Sequence, residues 1–295
     1  MYRVCGLIWT YNPDISLLRR TVEAALANVD YLLIVDNGSA NREEIKSLLS
    51  IYNHTEAIFL PKNLGVAALD LGLRVLSRQC EWILILDDDS IILQPNAIAE
   101  VLDKYNRLPP ILRDRIGVIS ISDLKNIPIS LRLKLERLPR ETLIVLYEPL
   151  IFSGSIIKAK ILHTDILKIN KNLFIDHVDT DFFARILKKG YMITVYTKPL
   201  LDHRLGIPLP KPINFLLFYK IESTTKPIRL YYTTRNGTYL LIKRNITIIQ
   251  YLSAIFRRAI PLFLEKPLTT VRAVALGIIH GITGTLGVWE TPLLK

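Results

Sequence analysis

Four apolar runs in the first 87 residues each stop at a polar cluster, and segments of helical periodicity lie between them. Residues 3–10, RVCGLIWT, end at Thr10-Tyr11-Asn12-Pro13. YLLIV ends at Asp36-Asn37-Gly38-Ser39, EAIFL precedes Lys62-Asn63-Leu64-Gly65, and Trp82–Leu86 ends at Asp87-Asp88-Asp89. Between the first two runs Leu17, Leu18, Val22, Ala25 and Leu26 recur at helical spacing, so helices are expected over Ser16–Val29, Asn41–Tyr52 and Val66–Arg78. Runs that are apolar throughout belong to strands covered on both faces, and strand–helix alternation builds a parallel sheet. The expected class is therefore α/β, a mostly parallel sheet sandwiched by helices. In such sheets, polar residues just past the strand C-termini gather along one edge, where ligands bind. The three aspartates belong at that rim, not in the core.

Further along, Gly117–Ser122 and Glu148–Phe152 read as strands, and a helix is expected from about Lys158. Residues 124–140 hold five basic residues and two prolines and read as a surface loop or amphipathic segment. FIDHVDTDFFARILKKGY is an acid-rich turn entering a helix, and MITVYTKPLLDHRLG is a strand leading to His203. After Gly206 the character changes. Prolines cluster at 208, 210 and 212, an apolar stretch covers Ile213–Ile221, YYTTRNGTYLL reads as a helix, and apolar segments follow at 246–264 and 273–289. The last has 17 residues without Asp, Glu, Lys or Arg, at the lower limit for crossing a bilayer. The division expected is an α/β domain over 1–205 and a basic, mainly helical region over 206–295. No internal repeat or low-complexity stretch appears.

The formal charge of +11 is uneven: residues 205–295 carry 12 Lys or Arg against 3 Asp or Glu, or +9. A basic tail suits an anionic membrane surface or substrate. Amphipathic helices on a membrane face are one reading, with Lys243, Arg244, Arg257, Arg258, Lys266 and Arg272 beside them. Packing on the first domain or on a second copy is the other. Nucleic acid is not expected, since no binding module is recognisable and the tail's aromatics are scattered. The two cysteines, Cys5 and Cys80, make no disulfide framework and read as small buried thiols, which suits a reducing compartment. MYRVCGLIWTYNPD turns polar too soon for a signal peptide. The expected location is cytoplasmic, with peripheral attachment to the cytoplasmic membrane face. Only three glutamines among abundant Lys and Arg hint at heat adaptation.

Three adjacent carboxylates repel one another unless a cation is present. Mn²⁺ or Mg²⁺ prefers carboxylate oxygen and can bridge diphosphate oxygens. A helix N-cap would explain one aspartate but not three, and Ser90-Ile91-Ile92 is a poor helix start. Asp36 can be a turn former or an acceptor for a base or ribose. The first turn, TYNPD, lacks glycine, which excludes the dinucleotide fingerprint of a dehydrogenase. The second acid cluster, Asp176, Asp179 and Asp181, suits a general base or a helix cap. His203 reads as a metal ligand or a structural histidine.

The ordered set TYNP, VDNGS, NLG, LDDDS, SGS, FIDHVDTDFFAR and DHRLG, with PIRLYYTTRNGTYLL at 227–241, resembles family-2 glycosyltransferases of GT-A fold, and within them the rhamnosyltransferase-like branch. The resemblance covers about residues 3–241. It implies an inverting transferase that moves a sugar from a dTDP-, UDP- or GDP-type donor to a hydroxyl of a glycan or lipid-linked acceptor. It implies that Thr10, Asn12 and Asp36 hold base and ribose, that Asn63 and Gly65 line the nucleotide loop, and that Asp87 and Asp88 face ribose, sugar or diphosphate. Asp89 and His203 would bind Mn²⁺ or Mg²⁺, Asp179 would be the base and Asp181 its support. Arg235 and Asn236 match residues near the active site without an assigned role. Asp181-Phe182 replaces the usual Glu-Trp pair, and the last 50 residues match no pattern. A polyprenyl-phosphate sugar synthase and a non-catalytic sugar-nucleotide or glycan-binding module are the alternatives, and a homo-oligomer is compatible with all three.

Overall fold

The computed structural model describes residues 2–121, 138–147, 150–164, 168–203 and 226–289. The chain clusters into two compact units: Met1–Ile169 with Arg185–Arg204, and Asn170–Ala184 with Leu205–Lys295.

In the first unit the expected alternation is present: β1 (Tyr2–Thr10), α1 (Ile15–Leu26), β2 (Tyr31–Asp36), α2 (Arg42–Leu49), β3 (Thr55–Phe59), α3 (Ala67–Leu76) and β4 (Cys80–Asp87). Asp14 caps α1, its carboxylate accepting from the N–H groups of Ser16 and Leu17, and Leu18, Thr21, Val22 and Ala25 form the buried stripe. The strand residues 32–35 and 83–86 are fully buried, as strands covered on both faces must be. After β4 come β5 (Ser90–Ile92), α4 (Ala97–Asn106), α5 (Pro110–Arg115), β6 (Ile116–Ser120), β7 (Leu143–Leu146) and β8 (Ser155–Lys158), then β9 (Met192–Tyr196) and β10 (Leu201–His203). The main sheet has the order β3-β2-β1-β4-β8-β6-β9-β7, and β5 pairs with β10 in a second sheet. β8 and β7 run antiparallel to their neighbours, so the sheet is mixed, with a parallel half that carries the polar strand ends.

The structure differs from several expectations. Ser155–Lys158 is a strand, and only a 3₁₀ turn, Ala159–His163, follows where a helix was expected. Its Ser-Ile-Ile-Lys core is β-prone and fills the gap between β4 and β6. No strand forms over Leu150–Phe152, and Glu148 and Pro149 lie outside the described residues. Most of the basic stretch 124–140, the prolines at 208, 210 and 212, and Ile213–Ile221 also lie outside them. The cysteines are not free thiols: Cys5 and Cys80 form a disulfide with Cα atoms 6.0 Å apart. β1 and β4 are adjacent parallel strands, and the bond links residues 75 apart in sequence. The free-thiol argument for a reducing compartment therefore falls.

The second unit is helical. α6 (Val178–Lys188) begins within its Asn170–Ala184 segment. α7 (Pro227–Ile242), α8 (Ile248–Glu265) and α9 (Pro267–Thr283) complete it. Thr247 and Gln250 form a reciprocal capping box at the start of α8. α9 buries Thr270, Ala273, Gly277 and Gly281 and lays the two glycines against α7. A Cβ on Gly277 would stand 2.7 Å from Thr234 Cβ, and one on Gly281 2.5 Å from Thr238 Cβ, so only glycine allows this approach. Leu230, Tyr231, Tyr232, Leu240, Tyr251 and Ile255 form the core. None of the described helices is long and apolar enough to cross a membrane.

Candidate active site

Strand register draws the rim. Thr10 lies opposite Asp36, Asp36 opposite Phe59, and Trp9 opposite Asp87, so the ends of β3, β2, β1 and β4 share one line along the sheet edge. Loops past those ends are tied to one another. Asn12 bridges two of them: its N–H donates to Ser39 Oγ at 2.8 Å and its Oδ1 accepts from Ala40 N–H at 2.7 Å. Asn63 Oδ1 accepts from Gly65 N–H at 2.8 Å, shaping the third loop. Gly38 has φ +80° and sits so close to Lys62 that a Cβ would meet its carbonyl carbon at 2.5 Å. The second and third loops thus abut, and only glycine fits.

Asp36 is fully buried and accepts from the N–H of Ser39, with Arg42 Nε 3.7 Å away. It holds its own turn, in line with the turn-former reading. Three residues not singled out from the sequence organise the rim. Asn37 is buried and donates to Asn63 Oδ1 and Gly65 O while accepting from Leu64 N–H. Trp9 Nε1 donates to Asp87 Oδ1 at 2.9 Å. Ser153 Oγ accepts from Asp87 N–H at 3.1 Å and pairs with Ser90 Oγ at 2.6 Å. Asn37 and Ser153 stand inside VDNGS and SGS, so their polar motifs were the available signal; Trp9 had none beyond its place beside Thr10.

The three aspartates take different roles. Asp88 accepts from Thr10 Oγ1 at 2.5 Å, and its carbonyl accepts from Thr21 Oγ1 at 3.1 Å. Burial pushes the Asp88 carboxyl up to about 6; the Thr10 bond opposes this, and the charges of Asp87 and Asp89 add to it. Asp87 and Asp89 instead face His203. His203 Nε2 lies 3.2 Å from Asp87 Oδ2 and 3.5 Å from Asp89 Oδ1, and one donor atom from each of the three lies within 4.8 Å of the others. Asp87, which the resemblance places beside ribose or sugar, thus shares the group formed by Asp89 and His203. Two carboxylates and an imidazole are a donor set that suits a small divalent cation.

In the second unit, Asp179 and Asp181 stand in the first turn of α6. Asp179 Oδ1 accepts from Thr180 N–H at 2.7 Å, and its side chain is partly exposed. Asp181 is buried and accepts from Asn245 Nδ2 at 2.8 Å. Asp176, the third member of the acid cluster, is committed elsewhere. Burial opposes its charge, but Arg258 at 3.0 Å and Arg229 at 3.2 Å outweigh burial and hold the carboxyl below its ordinary value.

The model of the family described as Glycosyl transferase family 2 matches residues 7–155, half of the chain and the segment that carries the whole strand-end rim. The chain belongs to glycosyl transferase family 2. It is a glycosyltransferase of GT-A fold. It is 26% identical over 258 residues to a Shigella flexneri protein described as dTDP-rhamnosyl transferase RfbF, covering 83% of this chain and 82% of that one. S. aureus TarS 1–349 in complex with UDP-GlcNAc superposes with TM-score 0.54 at 12% identity, over 95% of this chain and 81% of that one. Another TarS 1–349 structure gives TM-score 0.51 at 13% identity with the same coverage. At such identities these structures speak for the fold alone.

Proposed function

We propose that this family-2 glycosyltransferase moves a sugar from a nucleoside diphosphate sugar to a hydroxyl of a glycan or lipid-linked acceptor, inverting the anomeric centre. Rhamnose on dTDP is the first donor to test, because the Shigella relative carries that description across most of both chains. The observation that carries the reading is the grouping of Asp87, Asp89 and His203 at the C-terminal rim of the parallel strands.

Asp87, Asp89 and His203 would hold Mn²⁺ or Mg²⁺. A divalent ion bound there would supply positive charge to neutralise the departing diphosphate. Thr10 and Asp88 form the wall beside that group, and Asn63 and Gly65 shape the neighbouring loop. Asp179 takes the proton of the acceptor hydroxyl as its oxygen bonds to the anomeric carbon. The bond from that carbon to the diphosphate oxygen breaks, and its electron pair leaves with the nucleotide. Attack from the face opposite the leaving group inverts the centre. Asp181, buried and bonded to Asn245, supports the helical turn that presents Asp179.

A lipid-linked acceptor is favoured by the surfaces of α8 and α9. Ile249, Phe256 and Phe263 on α8, and Leu268, Ile279 and Ile282 on α9, are exposed, with Arg257, Lys266 and Arg272 exposed among them. Apolar stripes with basic neighbours suit a peripheral seat on anionic lipid. Flotation with anionic vesicles tests this, and a protein that stays at the bottom of the gradient rules it out.

The central test is calorimetric titration of dTDP, UDP and GDP with and without Mn²⁺ or Mg²⁺, followed by transfer assays on Asp179→Asn. Metal-dependent binding of one nucleotide and a rate loss on the order of 10²–10⁴-fold in Asp179→Asn are expected. Full activity of Asp179→Asn would remove the base assignment.

A further inference from the structure

Within the helical unit, the turn that leads into α6 is held in a costly backbone conformation. Phe174, Asp176 and His177 have φ of 64°, 58° and 59°, and none is glycine. Non-glycine residues take this left-handed region only where surrounding contacts enforce it, and such turns concentrate at functional sites. The enforcing contacts come from two adjacent residues of α7. Asn236 Nδ2 stands 2.9 Å from Leu173 O, 2.6 Å from Ile175 O and 3.0 Å from Asp176 O. Arg235 donates from its two terminal nitrogens to Leu173 O at 3.1 Å and Gly287 O at 2.6 Å. Its Nε donates to Asn236 Oδ1 at 2.9 Å, which turns the amide so that Nδ2 faces the carbonyls. Both side chains are fully buried.

Arg235 is an unusual group to bury. Its partners are carbonyl oxygens and the rings of Tyr231 and Tyr232, the latter 4.7 Å from the guanidinium, rather than a carboxylate. Charge-assisted hydrogen bonds from the guanidinium tie the backbone of the turn to α7 more firmly than neutral ones would. The chain it controls is short. His177 O is the first acceptor of α6, taking the N–H of Asp181 at 2.9 Å, and Asp179 is only two residues past the last left-handed residue. A shift of the turn carries directly into Asp179.

We infer that Arg235 and Asn236 are positioning residues for Asp179: they lock the 173–177 turn and thereby set where that carboxylate stands. The inference rests on the reading of Asp179 as the base. Asn236→Asp keeps the size of the side chain but replaces the donor with an acceptor, and Arg235→Lys keeps the charge but loses the fork.

The test is a double-mutant cycle on kcat. Asn236→Asp is expected to lower kcat about 10²-fold, the order of loss that a displacement of a reacting group by an ångström produces. Nucleotide affinity should stay within about twofold, because groups acting as a unit lose kcat together while binding elsewhere persists. In the Asp179→Asn background the same change should cost less than about twofold. Tyr251→Phe, which breaks the 2.8 Å Thr238–Tyr251 bond in the same unit, is the stability control and should leave kcat unchanged. Equal losses in both backgrounds, an unchanged kcat, or an equal loss in Tyr251→Phe would overturn the inference. Arg235→Lys goes through the same cycle, and failure of both variants to fold would assign the pair a structural role and likewise overturn it. Full activity of Asp179→Asn would defeat the base reading instead, whatever the Asn236 variant does.

Discussion

His203 Nε2 lies 3.2 Å from Asp87 Oδ2 because the short strands β5 and β10 pair antiparallel, with His203 opposite Ser90. The imidazole is buried, and the pairing aims it back at the end of β4, where Asp87 closes the strand and Asp89 stands in the turn that follows. An imidazole from the last strand of the unit is thus brought beside two carboxylates by two three-residue strands.

With Asp87, Asp89 and His203 holding the ion as proposed, removing that imidazole should weaken metal-dependent nucleotide binding. We expect His203→Ala to raise the Kd for nucleotide with Mn²⁺ about tenfold or more while binding without metal changes little. Calorimetry on the folded variant measures both, and an unaltered metal effect would take His203 out of the site.

The disulfide between Cys5 and Cys80 closes a long loop inside the sheet. Chain-entropy arguments give about 4 kcal/mol for a loop of this length. The Cys5→Ala, Cys80→Ala double variant should lose stability of that order in guanidinium unfolding. Thiol titration of the denatured, unreduced protein should find no free thiol; two free thiols would contradict the bond.

Glycine on α9 is a packing requirement. Gly281→Val would drive side-chain atoms into Thr238 and the carbonyl of Arg235, both under 3 Å from the added Cβ. A loss of about 1–3 kcal/mol is expected, the usual cost of overpacking. An unchanged denaturation midpoint would mean that α9 does not lie against α7 as described.

Acid should destabilise the helical unit. Burial holds His177 down to about 4, with Asp176 opposing, whereas an unfolded histidine titrates near 6.5. Between those values the unfolded chain binds a proton that the fold does not, so stability falls as pH drops from about 6.5 towards 4. Asp176 has a depressed folded pKa, so its contribution is present above the ordinary carboxylate value and is lost as pH falls through the folded one. Both act in the same direction. Urea midpoints at pH 7 and pH 5 should differ in the wild type, and His177→Gln should flatten the difference. The same slope in both proteins would assign the pH dependence to other groups.

Much of this architecture is local in origin. Buried strands announce themselves as unbroken apolar runs, helices as stripes at 3.6-residue spacing, and the rim as the polar residues that end each run. Those features depend on neighbours a few residues apart, so the sequence alone determined the α/β class, the four converging strand ends and the place of the aspartates. It did not determine which distant segments meet. The Cys5–Cys80 bond follows from β1 lying beside β4, the division of labour among Asp87, Asp88 and Asp89 from the facing of Thr10 and His203, and the commitment of Asp176 from Arg229 and Arg258. The lock of Arg235 and Asn236 on the 173–177 turn likewise joins segments some sixty residues apart. Such contacts arise from strand order, register and helix packing. These satisfy the whole chain's burial and hydrogen bonding at once, and no window of sequence contains that information.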